Sequence, residues 1–97
     1  MDKFVKQDSE QFTIEIDFTR RLSSGETISS YTLAAINDST SVDVKSTIVD
    51  ADSNDDESIY ITVKSGTTGT KYKLTVVVTT SELNIYEKDV LMEVKNV

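Results

Sequence analysis

The clearest pattern in the chain is a strict alternation of apolar and polar residues between positions 12 and 18. The apolar positions are Phe12, Ile14, Ile16 and Phe18, and the polar positions between them are Thr13, Glu15 and Asp17. A period of two places the apolar side chains on one face of a strand, and it does not fit the 3.6-residue period of an amphipathic helix. This segment therefore predicts a β-strand with one buried face.

Shorter alternations of the same kind recur along the chain and are separated by turn residues such as Gly, Asn, Asp and Ser. They predict further strands over about 27–36, 59–63, 72–78 and 85–94, and a short edge strand, or two, between 42 and 49. Six or seven short strands at such intervals are typical of an all-β fold. We expect an antiparallel β-sandwich of immunoglobulin-like topology.

Two details refine this expectation. Ile28 and Ile36 are out of phase with Leu33 within one strand, which predicts a β-bulge near Ser29–Ser30. Tyr72 opens the penultimate strand just after a turn that contains glycine. Immunoglobulin-like sandwiches place there a tyrosine whose hydroxyl bonds to the backbone upstream, although a tyrosine packed at the end of the core explains the position equally well.

A length of 97 residues allows one domain with short tails. We expect residues 1–10 to form a mobile N-terminal arm and residues 11–97 a single sandwich domain. The opening residues have no apolar core of the kind that a secretory signal needs, and the apolar runs are far shorter than a membrane span.

The composition excludes several kinds of chemistry. The chain has no cysteine and no histidine, so disulfides, Ser-His-Asp or Cys-His catalysis and the usual zinc ligands are ruled out. Acidic residues outnumber basic ones by 17 to 10, giving a net charge of -7 that the phosphates of a nucleic acid would repel. We expect neither an enzyme nor a nucleic-acid-binding protein, and the sequence implies no cofactor.

The densest acidic segment is 50–57, where five of eight residues are Asp or Glu. Calcium prefers oxygen ligands from flexible loops, and the candidate ligands here are Asp50, Asp52, Asn54 and Asp56. The comparison with an EF-hand loop fails at two positions, because Asp55 replaces the glycine and Ile61 replaces the bidentate glutamate. A solvated acidic loop between two strands is the alternative, and we assign no metal ligand.

Other polar groups have structural explanations as well as functional ones. Glu15 and Asp17 are neighbours on one strand face, but the chain has no Trp, has few aromatic residues and is too small to form the cleft that a hydrolytic carboxylate pair requires. The stretch 66–69 lacks the Lys-Ser/Thr and the helix of a phosphate-binding loop. Arg20–Arg21 is a cationic pair for an acidic partner or for solvent. Outward-facing threonines, which strand addition at a sheet edge could use, are Thr13, Thr62 and Thr75.

The segment 12–33 resembles small virion proteins of tailed phages and prophages, the fibre-tail adaptor or head-tail region proteins. Those proteins have an Asp-aromatic pair followed by a Leu-x-x-Gly-Asp/Glu-Thr-Ile-x-Ser stretch. The matching residues are Asp17, Phe18, Leu22, Gly25, Glu26, Thr27, Ile28 and Ser30. The segments 72–76 and 90–94 are similar to the closing hairpin of the same proteins. Family members often carry Trp where this chain has Phe18, Arg21 or Leu33, and the chain has no Trp.

The resemblance implies a non-enzymatic structural or adaptor protein that binds other virion proteins near the head-tail or fibre-tail junction. It implies a location in the virion, assembled in the bacterial cytoplasm, with several copies forming a homo-oligomer and no contact with membrane. We expect contacts through sheet faces or edges and through the arm, whose Phe4 and Val5 would order on docking. The alternatives are a host-encoded immunoglobulin-like interaction module and, third, a Ca²⁺-dependent binding domain.

Overall fold

The computed structural model describes residues 2–96, which form two β-sheets around a shared apolar core. Within these residues there are seven strands and one single-turn helix. The elements are β1 (Asp2–Lys6), β2 (Phe12–Asp17), β3 (Ile28–Asn37), α1 (Lys45–Ile48), β4 (Val49–Asn54), β5 (Ser58–Val63), β6 (Lys71–Thr80) and β7 (Ile85–Val94). The predicted all-β, sandwich-like architecture is confirmed.

The strand order is β1-β7-β6-β3 in the larger sheet and β2-β5-β4 in the smaller one. Neighbouring strands are antiparallel except that β1 runs parallel to β7. The groups β2-β5-β4 and β3-β6-β7 follow the order of strands B, E, D and C, F, G in immunoglobulin domains. The first strand departs from that scheme, because it joins β7 instead of β2. The immunoglobulin-like assignment stays a prediction.

The alternation seen in the sequence decides which side chains enter the core. In β6 every second residue is buried, from Tyr72 through Leu74 and Val76 to Val78. In β2 burial is deepest at the end, where Ile16 is 3% exposed and the adjoining Phe18 is 1% exposed. A register shift between Ile28 and Ser30 confirms the predicted bulge, which lets Ile28 and Leu33 both face the core despite their opposite phase.

The middle of the chain differs from its predicted structure. No strand fills 42–49: Asp43 makes one bridge to Ile36, the single turn α1 follows, and β4 begins at Val49. The acidic segment 50–57 is not one loop either, because Asp50–Asn54 belongs to β4 and only 55–57 form the turn. In β4 only Val49 is buried, so this edge strand carries no apolar alternation that would reveal it.

Part of the predicted N-terminal arm forms a strand, while the division into an arm at 1–10 and one domain at 11–97 stays a prediction. Residues 2–6 form β1, which pairs with β7 from Asp2 opposite Val90 to Lys6 opposite Val94. Phe4 packs edge-on against Phe12, with 5.9 Å between the ring centroids. The two chain ends, Met1 and Val97, lie outside the described residues. No helix within 2–96 has the length and apolar character that crossing a membrane would require.

Candidate interaction surfaces

The motif at 22–30 builds a turn around one buried carboxylate. Gly25 adopts a φ of +82°, a conformation that favours glycine, and the chain then turns Glu26 inward, where it is 3% exposed. The Glu26 carboxylate accepts hydrogen bonds from the Ser23 amide at 2.8 Å, the Thr80 hydroxyl at 2.5 Å and the Asn84 side-chain amide at 2.8 Å. The bonds from Thr80, Ser23 and Asn84 hold the pKa of Glu26 below its usual value.

Backbone hydrogen bonds join this turn to two further turns. The Ser81 amide donates to the Thr27 carbonyl at 2.8 Å, and the Thr27 amide donates to the Ser81 hydroxyl at 3.0 Å. The Ile28 amide donates to the Asp56 carbonyl at 2.8 Å. Loop 18–27, turn 55–57 and turn 81–84 thus form one connected surface, which we call the three-loop end.

The three-loop end exposes large apolar side chains and an excess of acid. Leu83 is 82% exposed and Ile85 is 67% exposed, while Leu83 also has a φ of +65°. The solvent-accessible charged residues of these loops and of the adjoining strand ends are Asp2, Asp17, Asp55, Asp56, Glu57, Glu82 and Glu87 against Arg20, Arg21 and Lys88. Seven acids face three bases at this end. The Arg21 guanidinium lies over the Tyr86 ring, 4.7 Å from its centroid.

The opposite end is fastened by a buried lysine and a tyrosine. The Lys6 ammonium is fully buried and donates to the carbonyls of Gln7 at 2.8 Å, Asp8 at 3.3 Å and Ser65 at 2.5 Å. Burial lowers the pKa of Lys6. The Tyr72 hydroxyl accepts a hydrogen bond from the Thr67 amide at 2.9 Å, so the predicted tyrosine–backbone bond is present. Tyr72 is also buried in the core, and both interpretations of this residue hold.

The chain was compared with known protein families and with curated proteins. The model of a family described as podophage GP4 fiber-tail adaptor protein gp77 matches residues 6–93. The chain belongs to this family. The match runs from the end of β1 almost to the end of β7, so it covers both sheets and all three turns of the three-loop end. No curated protein matches the chain. The resemblance drawn from the 12–33 motif is confirmed, and the family supports a structural adaptor role in a phage.

The candidate calcium ligands of this gp77-family protein contact different groups and do not share a common centre. Asp52 accepts the Tyr31 hydroxyl at 2.5 Å, and Asp50 lies 3.8 Å from the Lys64 ammonium. The Asn54 side chain donates to the Asp55 carbonyl, whereas Asp56 lies in the turn beyond β4. Within residues 2–96 no group of three or more acidic side chains is arranged to hold a metal ion.

The bond between Tyr31 and Asp52 has a structural role instead. Tyr31 lies on β3 and Asp52 on β4, so the bond spans the two sheets at their edge strands. Burial, followed by the bond to Asp52, raises the pKa of Tyr31 to about 12. This contact ties the polar edge strand β4 to the larger sheet.

The other candidate residues make hydrogen bonds within the domain. The Glu15 carboxylate accepts the Ser58 hydroxyl at 2.7 Å, and that of Asp17 accepts the Thr19 amide at 2.7 Å. Both carboxylates line an acidic groove together with turn 55–57. The stretch 66–69 belongs to the turn that Tyr72 fastens.

The outward-facing threonines form side-chain hydrogen bonds with residues of neighbouring strands. The hydroxyls of Thr13 and Thr62 lie 2.8 Å apart on β2 and β5, and the Thr75 hydroxyl donates to Asp89 at 2.7 Å. Thr62 and Thr75 are on central strands of their sheets, which have no open edge for strand addition. The edge strands themselves carry charges such as Lys3, Asp50 and Asp52, a feature that discourages edge-to-edge pairing.

Sequence reasoning missed three functional features of the fold. Lys6 lies two positions after Phe4 and therefore on the same face of β1, so the alternation could have indicated that it is buried. Lysine is rarely buried, however, which argues against placing it in the core. The carboxylate of Glu26 had no such signal, because its partners Thr80 and Asn84 come from the other end of the chain. Leu83 stood out only as an apolar residue in a polar turn.

Proposed function

We propose that this protein binds other virion proteins of a phage or prophage particle and connects them near the fibre-tail or head-tail junction. The observation that carries the proposal is the match of the gp77 adaptor family over residues 6–93, which is nearly the whole folded domain. The proposed role is assembly by binding, without catalysis, cofactor or nucleic acid.

The architecture supports such a role. The domain measures 42 Å along its longest axis and 23 and 21 Å across. Each end is held by its own set of hydrogen bonds, through Glu26 at one end and through Lys6 and Tyr72 at the other. A rigid frame suits an adaptor, because a preorganised protein loses little conformational freedom on binding.

We further propose that several copies act together in the particle. A ring of identical subunits would use heterologous contacts between different patches of each copy, closed by rotation. Assembly would take place in the bacterial cytoplasm, and the protein would then reside in the virion.

Quantitative mass spectrometry of density-purified particles tests the proposal. Particles of the phage or prophage that encodes this chain should contain it in a fixed ratio to the other tail proteins, and a deletion mutant should yield particles lacking components attached after it. Absence of the chain from intact particles, with the protein present in the lysate, would overturn the proposal and favour a host-encoded interaction module.

A further inference from the structure

From the structure we propose that the three-loop end binds another virion protein. The partner's binding surface would be basic and would have an apolar recess that receives Leu83 and Ile85. This inference rests on the proposed adaptor function and adds the surface, the side chains and the chemistry of the partner. The residues that we assign to partner binding are the exposed Leu83 and Ile85, together with the acids Asp56, Glu57 and Glu82 of the same three-loop end.

The three-loop end exposes two large apolar side chains. Leu83 is 82% exposed at the tip of the β6–β7 hairpin, and Ile85 at the start of β7 is 67% exposed. Within residues 2–96 these two have the highest exposures among the large apolar side chains. Exposed leucine and isoleucine gain contacts when a partner covers them, and clustered apolar residues with a polar rim are typical of protein–protein contact sites.

The backbone of the hairpin has an uncommon conformation at Leu83. Leu83 has a φ of +65°, a region that asparagine or glycine occupies more readily than leucine. No packing inside the domain accounts for leucine at this position, since its side chain is exposed. Sparsely populated backbone conformations are concentrated at binding sites, where the surrounding structure maintains them.

Glu26 fixes the hairpin in place. Its carboxylate accepts hydrogen bonds from Thr80, which precedes turn 81–84, and from Asn84, the last residue of that turn, and Ser81 pairs with Thr27. The exposed side chains are therefore presented on a turn held by the rest of the domain. A rigid presentation limits the entropy lost when a partner binds.

The distribution of charge identifies the partner's chemistry. The three-loop end has seven acids and three bases, whereas the opposite end is nearly balanced on its surface, with Asp8, Glu10, Asp38, Asp43, Asp50 and Glu93 against Lys45, Lys64, Lys71, Lys73 and Lys95. A second copy docked by the same end would bring acid against acid, and one docked by its opposite end would offer no net positive charge. A basic surface on a different protein is the complementary partner.

The test uses particle incorporation in cells infected by a phage that lacks the gene, with each variant supplied from a plasmid. Leu83→Asn combined with Ile85→Thr removes the apolar groups, and asparagine suits the left-handed backbone at position 83. The matched control is Val42→Thr, which changes a residue that is 58% exposed near the opposite end. A second pair compares Asp56→Lys at the three-loop end with Asp38→Lys at the other.

We expect Leu83→Asn/Ile85→Thr and Asp56→Lys to lower incorporation at least about tenfold, while both controls incorporate like the wild-type chain. The purified variants should melt within a few degrees of the wild type, which shows that the loss is one of binding. Asparagine adopts the left-handed backbone conformation at position 83 more readily than leucine. The single variant Leu83→Asn should therefore have the same melting temperature as the wild type or a higher one.

Other outcomes overturn one proposal or both. Equal incorporation of all four variants, with the wild type present in particles, would refute the three-loop end as the binding surface and leave the adaptor function standing. A wild-type chain absent from particles would refute the adaptor function itself. Sedimentation of the purified protein as a dimer that Leu83→Asn/Ile85→Thr dissociates would show that a second copy, not a basic partner, occupies the surface.

Discussion

The Glu26 carboxylate and the Thr80 hydroxyl lie 2.5 Å apart, although the two residues are separated by 54 positions in the chain. Their bond connects the turn before β3 with the end of β6, and the amide of Asn84 adds a second link to the same carboxylate. One side chain thus holds together two of the turns that form the three-loop end.

Replacing Glu26 by glutamine should lower the melting temperature in a pH-dependent way. The pKa of Glu26 is lowered in the folded chain, so its ionised form contributes stability that is present above the ordinary glutamate pKa near 4.5 and is lost as the pH falls toward the folded pKa. The difference in Tm between wild type and Glu26→Gln should therefore be largest near pH 7 and shrink below pH 4.5. Thermal melts from pH 3 to 7 measure it.

The control for that series is Glu82→Gln, an exposed residue in the neighbouring turn. Its melting temperature should follow the wild type at every pH. If Glu26→Gln also followed the wild type throughout, the buried carboxylate would not hold the turns together.

Tyr72→Phe removes a hydroxyl but leaves the aromatic ring in the core. The Thr67 amide then loses its acceptor at 2.9 Å, at a cost of about 1 kcal/mol. For a domain of this size the change corresponds to a fall in Tm of about 4–8 °C. Denaturant titration gives the free energy of unfolding directly, and an unchanged midpoint would mean that water replaces the bond without loss.

Gly66→Ala should be more destabilising than Gly69→Ala. Both glycines have positive φ, +96° and +90°, which costs an alanine about 1–2 kcal/mol. A Cβ at Gly66 would also lie 2.9 Å from Cγ2 of Val94, whereas nothing lies within 4 Å of one at Gly69. Crowding in the core adds about 1–3 kcal/mol at position 66 alone. Equal losses for the two variants in denaturant titrations would argue against that crowding.

Lys6→Met should destabilise the opposite end of the molecule. Methionine fills similar space but leaves the carbonyls of Gln7, Asp8 and Ser65 without their donor. Hydrogen bonds to a charged group contribute about 1.5–3 kcal/mol, so the loss should be at least about 1.5 kcal/mol. Lys3→Met on the exposed side of the same strand is the control, and it should be nearly neutral. Faster proteolysis near residues 7–10 in Lys6→Met would locate the effect.

Addition of millimolar Ca²⁺ should leave the melting temperature unchanged to within about 1 °C, because a ligand stabilises a protein only where the native state binds it. Asp50 lies near the Lys64 ammonium, Asp52 accepts a hydrogen bond from the Tyr31 hydroxyl, and Asp56 lies in the turn beyond β4. A rise that saturates with Ca²⁺, and that Asp56→Asn abolishes, would instead establish a cation site at this edge of the smaller sheet.

Much of the fold could be predicted because side-chain alternation records which face of a strand is buried. The pattern at Phe12–Phe18 and that at Tyr72–Val78 gave two strands directly, and the phase change between Ile28 and Leu33 gave the bulge. The motif around Gly25 gave the family. In each case the information lies within a few neighbouring residues.

Strands β1 and β4 were not recognised because their stability comes from pairing with another strand. Most side chains of β4 are exposed on both faces, so its backbone bonds to β5 hold it in place without an apolar period. Strand β1 is held by its pairing with β7 and by the hydrogen bond from the buried Lys6 ammonium to the carbonyl of Ser65, which lies 59 positions further along the chain. Nothing within either segment signals such a distant partner.

The sequence by itself therefore determined the all-β class, the main strands of both sheets and the adaptor family, since each depends on local patterns of side chains. Only the tertiary structure decided that three separate turns meet at one end, that Glu26 fastens them, and that Leu83 and Ile85 are exposed there. The physical reason is that hydrogen bonds between distant segments, and the exposure that results, depend on how the sheets pack.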